Sequence, residues 1–150
     1  MADAEQELAL LHLLAPVARG WRQMGDAALA QFGVSSSAGW CLMHLDQLEE
    51  PPRQAELALL LDISPPSLVR TLDQLQIAGW IERIADPDDK RSNRLALTEA
   101  GKALAEKIVA RLAELRAGLL CGLPDGAVEV GVELLGLLSL RMAEQRAGVE

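Results

Sequence analysis

Aromatic side chains are almost missing from this chain: its 150 residues hold one Phe, three Trp and no Tyr. A core made without them must come from Leu, Ala and Val, which favours helices packed through aliphatic ridges. Two cysteines in a chain of this size form no disulfide framework, so a reducing compartment is expected. Cys41 and Cys121 then read as small buried hydrophobes, with an oxidant-sensing role for Cys41 as the alternative. The two histidines, His12 and His44, fall on separate predicted helices, and no His, Cys and carboxylate grouping has metal-ligand spacing. A phosphate-cradling glycine loop and a nucleophile elbow are also lacking. These gaps argue against an enzyme: no catalytic residue, metal ligand or cofactor is expected. Long apolar runs are lacking too. The region from Ala117 to Leu140 is broken by Pro124, Asp125, Glu129 and Glu133, so it predicts no membrane span. Met1 to Glu7 is acidic, which predicts no secretory leader and a cytoplasmic location.

Positive charge is in deficit as well, with a net charge of −8. Taken alone, that speaks against a nucleic-acid partner. Its distribution is more telling: −5 over residues 1–50, −1 over 51–97 and −2 over 98–150. The central third is therefore nearly balanced, and any non-specific affinity for DNA should be modest and salt-sensitive.

What is present centres on residues 63–101. Ser64 is a suitable N-cap and Pro65 suits the first helical position, where a missing N–H costs nothing. Leu68, Leu72 and Leu75 recur at i, i+4 and i+7, one buried face. Pro66, Ser67, Arg70 and Gln74 fall on or near the opposite face, with Thr71 at its margin. Gly79 ends the helix. Ile81 to Ala85 and Arg94 to Leu97 can pair as strands, because Asp86-Pro87-Asp88-Asp89 between them is a turn sequence. Thr98 caps the following helix, with Glu99 at its positive end. Upstream, Arg53 to Leu61 supplies a preceding helix, with Asp62 and Ile63 in the turn. A helix pair followed by a hairpin whose loop carries Lys90, Arg91 and Arg94 is a winged helix-turn-helix pattern. Its second helix would enter a major groove, and its basic loop would reach phosphates or a minor groove.

These residues resemble the MarR family of bacterial transcription regulators, and within it the SlyA-like branch. The resemblance rests on Ser67 to Leu75, on Gly79-Trp80-Ile81-Glu82-Arg83, on Asp86 to Arg91, and on Leu97-Thr98-Glu99-Ala100-Gly101. It implies a dimeric regulator on double-stranded, pseudo-palindromic DNA, associated with the nucleoid and acting as a repressor or a competitor of other DNA-binding proteins. Ser67, Arg70 and Thr71 would face bases or phosphates, with Pro66 giving shape and apolar contact and Gln74 on the same face. Arg91 would enter the minor groove with Asp89 holding its guanidinium, while Lys90 and Arg94 would add phosphate contacts. A winged-helix protein-interaction module without DNA binding is a different reading, against which the intact Asp89-Lys90-Arg91 speaks.

The flanks are expected to be helical. Leu10, Leu14, Val17, Trp21, Met24 and Ala28 form one stripe, although Pro16 requires either a start near that point or a bend. A second helix runs from about Ala38 to Leu48 behind the Ser35-Ser36-Ser37 cap. Leu104, Ile108, Leu112, Leu115 and Leu119 make another stripe, and Gly122 to Gly126 a reverse turn. The last helix, from about Gly126 to Gln145, is apolar most of the way round, so a second copy of the chain is expected to cover it. The fold class is therefore mainly α with a small β-hairpin wing. A winged helix-turn-helix over residues 35–101 would carry a helical dimerisation region made of 1–34 and 102–150.

Trp40 and His44 are four apart and share a helix face. The resemblance implies that they, with Arg19 and Trp21 of the first helix, line a crevice for small aromatic acids. An indole to stack, a guanidinium to pair an anion and an imidazole to hydrogen-bond would suit an aromatic carboxylate or phenol. A core Trp40 and a partly buried His44 without any ligand account for the pattern equally well.

Overall fold

The structure is a computed structural model and describes residues 3–148; residues 1–2 and 149–150 of the expected dimerisation region lie outside it. Packing divides the chain into two compact units with the boundary between Leu115 and Arg116. In order, the elements are α1 (Ala4–Leu29), a short 3-10 turn (Ala30–Phe32), α2 (Ser36–Gln47), α3 (Gln54–Leu61) and α4 (Pro65–Ile77). The hairpin β1 (Ile81–Ala85) and β2 (Asn93–Leu97) follows, then α5 (Glu99–Leu120) and α6 (Ala127–Ala147). The mainly helical winged architecture expected from the pattern is the one observed.

Of the two outcomes expected at Pro16, a start there or a bend, the later start does not occur: α1 begins at Ala4 and continues through the proline as one helix. Its beginning is set by a capping box. Asp3 Oδ1 accepts from the Gln6 N–H at 2.8 Å, and Gln6 Oε1 accepts from the Asp3 N–H at 3.4 Å. The Ala- and Leu-rich turns that follow have high helix propensity, which offsets the cost of about 3 kcal/mol for an interior proline. Burial along α1 is confined to its last turns, at Gly25, Ala28 and Leu29. α2 begins at Ser36, two residues before its expected start, because Ser35 Oγ accepts from the Ala38 N–H at 3.2 Å.

The core of the first unit joins α2, α3, α4, the hairpin and the first turns of α5. Leu42, Leu57, Leu68, Leu72 and Ile108 are fully enclosed, each contributing about 1.5–3 kcal/mol by removal from water. The turn between α3 and α4 closes at Asp62, whose φ of +51° is left-handed, while the Ile63 N–H reaches back to the Ala58 carbonyl at 3.2 Å. Asp tolerates that conformation better than a bulky residue would. β1 and β2 are antiparallel, with Ile81 opposite Leu97 and Arg83 opposite Leu95.

The start of α5 is seated against the end of α4. Thr98 Oγ1 accepts from the Gly101 N–H at 3.0 Å and donates to the Gly79 carbonyl at 2.6 Å. A Cβ on Gly101 would stand 1.8 Å from the Trp80 carbonyl oxygen. The Leu-Thr-x-x-Gly sequence is thus a joint: Thr caps, and Gly allows helix to meet backbone.

In the second unit, α6 buries none of its residues. Val130, Val132 and Leu140 are 64%, 67% and 57% exposed.

Candidate nucleic-acid interface

α4 owes its orientation to Leu68, Leu72 and Leu75, whose burial turns Pro66, Ser67, Arg70 and Gln74 outward into solvent. These four, with Ser35 and Ser37 at the start of α2, border a shallow depression of about 520 Å³. Thr71 also borders this depression, at its inner margin. It is 6% exposed, and its hydroxyl donates to the Ser67 carbonyl at 3.2 Å. At about 100° per residue Thr71 lies beside Leu68 and Leu75, on the inner side of the margin. Arg83 of β1 holds the far end of α4 through Asp73 at 2.9 Å and through Gln76.

The wing is a loop closed on itself. The Asp86 N–H donates to the Ser92 carbonyl at 3.2 Å, and the Ser92 N–H to the Asp89 carbonyl at 3.0 Å. Asp89 Oδ1 accepts from the backbone N–H of Arg91 at 3.0 Å. The expected brace therefore acts on the Arg91 main chain, not on its guanidinium, since an Asx turn captures the carboxylate first. Lys90 and Arg91 are exposed, and among the described residues neither is held in an ion pair.

Arg94, expected to touch phosphate, is committed elsewhere. Its guanidinium meets Asp86, Asp88 and Glu50, each at 3.4 Å, and donates to the Pro51 carbonyl at 3.3 Å. Asp86, which the sequence suggested only as a turn residue, is buried, and it receives Arg53 Nε at 2.6 Å. Hydrogen bonds from Arg53 and from the Asp88 N–H, together with nearby Arg94, hold the Asp86 carboxyl well below the usual carboxylate range. The same pairing raises Arg53. No local pattern announces this pair, because its members are 33 residues apart.

A second feature lies between α1, α2 and the α3–α4 turn. Arg19, Trp21, Trp40 and His44 all border one cavity of about 480 Å³, along with Arg22, Asp62 and Ile63. Trp40 is 4% exposed; its indole N–H donates to Asp26 at 2.7 Å, and Trp21 meets it edge-on at 6.4 Å. Arg22 stacks over the same ring at 4.7 Å and pairs with Asp26 at 3.6 Å. Arg22 and Asp26 were missed in the sequence: their i, i+4 spacing is visible, but the indole between them is not. Gly25 makes room for that indole, since a Cβ there would fall 2.4 Å from the Trp40 ring.

Burial first, and then the Arg22 guanidinium, push His44 below its ordinary 6.5. Burial pushes the Cys41 thiol up to about 12, against a smaller opposing effect of Arg22, so thiolate chemistry there is suppressed. Cys121 departs from the expected buried state. It is exposed in the turn after α5, where the helix has left the core.

A two-helix reader with a basic-tipped hairpin defines the molecule as a winged helix-turn-helix protein. Residues 34–92 match the model of the MarR family. Over 90% of this chain and 98% of the other, it superimposes on the transcriptional regulator PA3341 with a TM-score of 0.85 and 29% identity. CouR from Rhodococcus jostii RHA1, solved with p-coumaroyl-CoA, is 26% identical, with 82% and 86% coverage and a TM-score of 0.73. MepR of S. aureus, solved in complex with DNA, is 25% identical, with 85% and 95% coverage and a TM-score of 0.71. The chain thus carries a MarR-type segment over residues 34–92 and has the fold of a solved transcriptional regulator. Among its described residues, no helix is long and apolar enough to cross a membrane.

Proposed function

We propose that this protein is a sequence-specific DNA-binding regulator that acts in the cytoplasm as a homodimer on a pseudo-palindromic operator. A small aromatic carboxylate or phenol releases it. The observation that carries the reading is the outward row Pro66, Ser67, Arg70 and Gln74 on α4, together with an exposed wing tip whose Lys90 and Arg91 form no ion pair among the described residues. The row suits a major groove, and the guanidinium of Arg91 suits a narrow, electronegative minor groove. Thr71, Asp89 and Arg94 support these groups from behind. The DNA complex of the MepR relative favours the same use of the fold.

Residues 35–101 act as the reader, and 1–34 with 102–150 as the dimerisation region. The exposed aliphatic side chains of α6, together with Leu8, Leu11, Leu13 and Val17 of α1, argue for a partner copy. The cavity of Arg19, Trp21, Trp40 and His44 is the effector site, with Arg22 as an additional cation. The p-coumaroyl-CoA complex of the CouR relative favours an aromatic acyl or carboxylate ligand. Such a ligand acts by preferring a spacing of the two winged domains that does not match successive major grooves.

The test is selection of bound duplexes from a random pool, followed by anisotropy titrations with and without millimolar salicylate as probe. Recovery of an inverted repeat, with affinity reduced by salicylate, is the expected result. Arg91→Ala should cost roughly 1–3 kcal/mol on the selected site and lessen the salt dependence. Failure to enrich any sequence overturns the DNA reading. Enrichment without any salicylate response, and unchanged tryptophan fluorescence across a panel of aromatic acids, overturns the effector reading alone.

A further inference from the structure

We infer that Asp86 is the positioning residue of the wing, a single buried carboxylate that sets where Arg91 stands relative to α4. The inference rests on the proposed DNA contact of Arg91. Asp86 touches the wing loop on one side and the body of the first unit on the other. Toward the tip, Asp86 Oδ1 accepts from the Asp88 N–H at 2.9 Å and Oδ2 from the Ser92 hydroxyl at 3.3 Å. The two limbs of the loop are thereby held to one group. Toward the body, Arg53 Nε approaches Oδ2 at 2.6 Å, and Arg94 Nε approaches Oδ1 at 3.4 Å.

Arg53 is the N-cap of α3, the first helix of the reader, so the carboxylate joins the wing directly to the helix pair. The backbone repeats the joint. Arg53 and Arg94 form an isolated antiparallel bridge, and the Leu95 N–H donates to the Pro52 carbonyl at 2.9 Å. β2 is thus clamped at its base, whereas the loop from Pro87 to Arg91 is exposed; among the described residues it is tied to the base through Asp86, Ser92 and the Asp88–Arg94 pair at 3.4 Å.

Arg94 shows what the carboxylate does electrostatically. Its Nε is buried without a hydrogen-bond partner among the described residues; Asp86 is the carboxylate that faces it, at 3.4 Å, while Asp88 and Glu50 pair with the terminal nitrogens. Without that charge, Arg53 and the Nε of Arg94 would lose the anion they share at the wing base, and the loop would open to let water in. Arg91 would then have to be ordered again at the moment of binding, at a cost in affinity.

Charge counting and positioning predict opposite signs. Asp86→Asn removes a negative charge near the DNA face, which by itself should tighten binding. Loss of positioning should weaken it. The experiment is anisotropy on a duplex selected by the wild-type protein, at several salt concentrations, for wild type, Asp86→Asn, Arg91→Ala and the double variant, with circular dichroism to verify folding. Asp86→Asn is expected to weaken binding on the order of tenfold, similar to Arg91→Ala, and to leave Arg91→Ala little further effect.

If Arg91→Ala costs nothing in the wild-type background, the wing contact itself is wrong. If it costs affinity but adds fully to Asp86→Asn, the contact stands and the positioning role is overturned. Tighter binding by Asp86→Asn also overturns it. Should Asp86→Asn fail to fold, Arg53→Gln frees the same carboxylate from α3 at a half-exposed position. It should likewise remove the coupling to Arg91, and an undiminished Arg91→Ala penalty in that background refutes the inference.

Discussion

Leu68, Leu72 and Leu75 of α4 are at most 1% exposed, whereas Leu135, Leu140 and Val132 of α6 keep 51%, 57% and 67% of their surface open. Both helices are rich in aliphatic residues; the difference is one of angular spread. In α4 the large apolar side chains recur at i, i+4 and i+7, and one face meets the core. In α6, Val128, Val130 and Val132 alternate with polar or small residues, and Leu134, Leu135, Leu137 and Leu138 continue past a half-turn. No single packing partner can cover positions spread so far round a helix. Hydrophobic content alone does not locate a core. The angle over which it is spread decides whether a helix needs one neighbour or more.

The largest effect that could break this comparison comes from deleting residues 126–150. If α6 is covered by a second copy, the truncated chain should lose the dimer and aggregate or unfold. Light scattering and circular dichroism check this, and a soluble, folded monomer would mean that α6 needs no partner. A middle-sized effect sharpens the contrast. Leu72→Ala should cost about 2–5 kcal/mol, because it empties an enclosed position, and the loss should be the same at every protein concentration. Leu135→Ala should instead shift a denaturant midpoint that itself moves with protein concentration, since the side chain would be buried only between copies. Midpoints for both variants over a wide dilution series decide the matter; concentration-independent behaviour of Leu135→Ala would place that side chain outside any interface.

The smallest expected effect concerns the cavity wall. His44 is held below its ordinary 6.5, first by burial and then by Arg22. Below about 6.5 the unfolded chain takes up a proton there that the folded chain refuses, so stability should fall as pH drops through that point. His44→Gln should flatten this limb in thermal melts taken from about pH 8 down to about pH 5. A pH slope unchanged by the substitution would show that the imidazole is already solvated.

How much of the site was legible follows the range of the interactions involved. The outward face of α4, the turn at Asp86 to Asp89 and the Thr98 cap are local patterns of helix period, turn chemistry and capping, and they could be read in order. Thr71 sits at the boundary of the buried arc, where a fraction of a turn separates a residue that borders the outer depression from one that is enclosed. Asp89 meets Arg91 at its main chain, since a short carboxylate two residues back reaches a backbone N–H before a guanidinium. Arg94 carries the same charge as Lys90 and Arg91, and only the folded wing base separates its role from theirs.

By itself, the amino-acid sequence determined the mainly helical winged architecture and the strand pair. It also determined the stretch that matches the MarR family model, because each is specified by neighbours within a few turns of the chain. Tertiary structure decided the rest. It brought Asp86 to Arg53 across 33 residues and Asp26 to Trp40 across 14. It also set Arg22 over an indole from another helix and enclosed Cys41 while leaving Cys121 open. These are questions of which side chain reaches a given charge or ring first. The answer depends on the packing of whole elements, which no local spacing encodes.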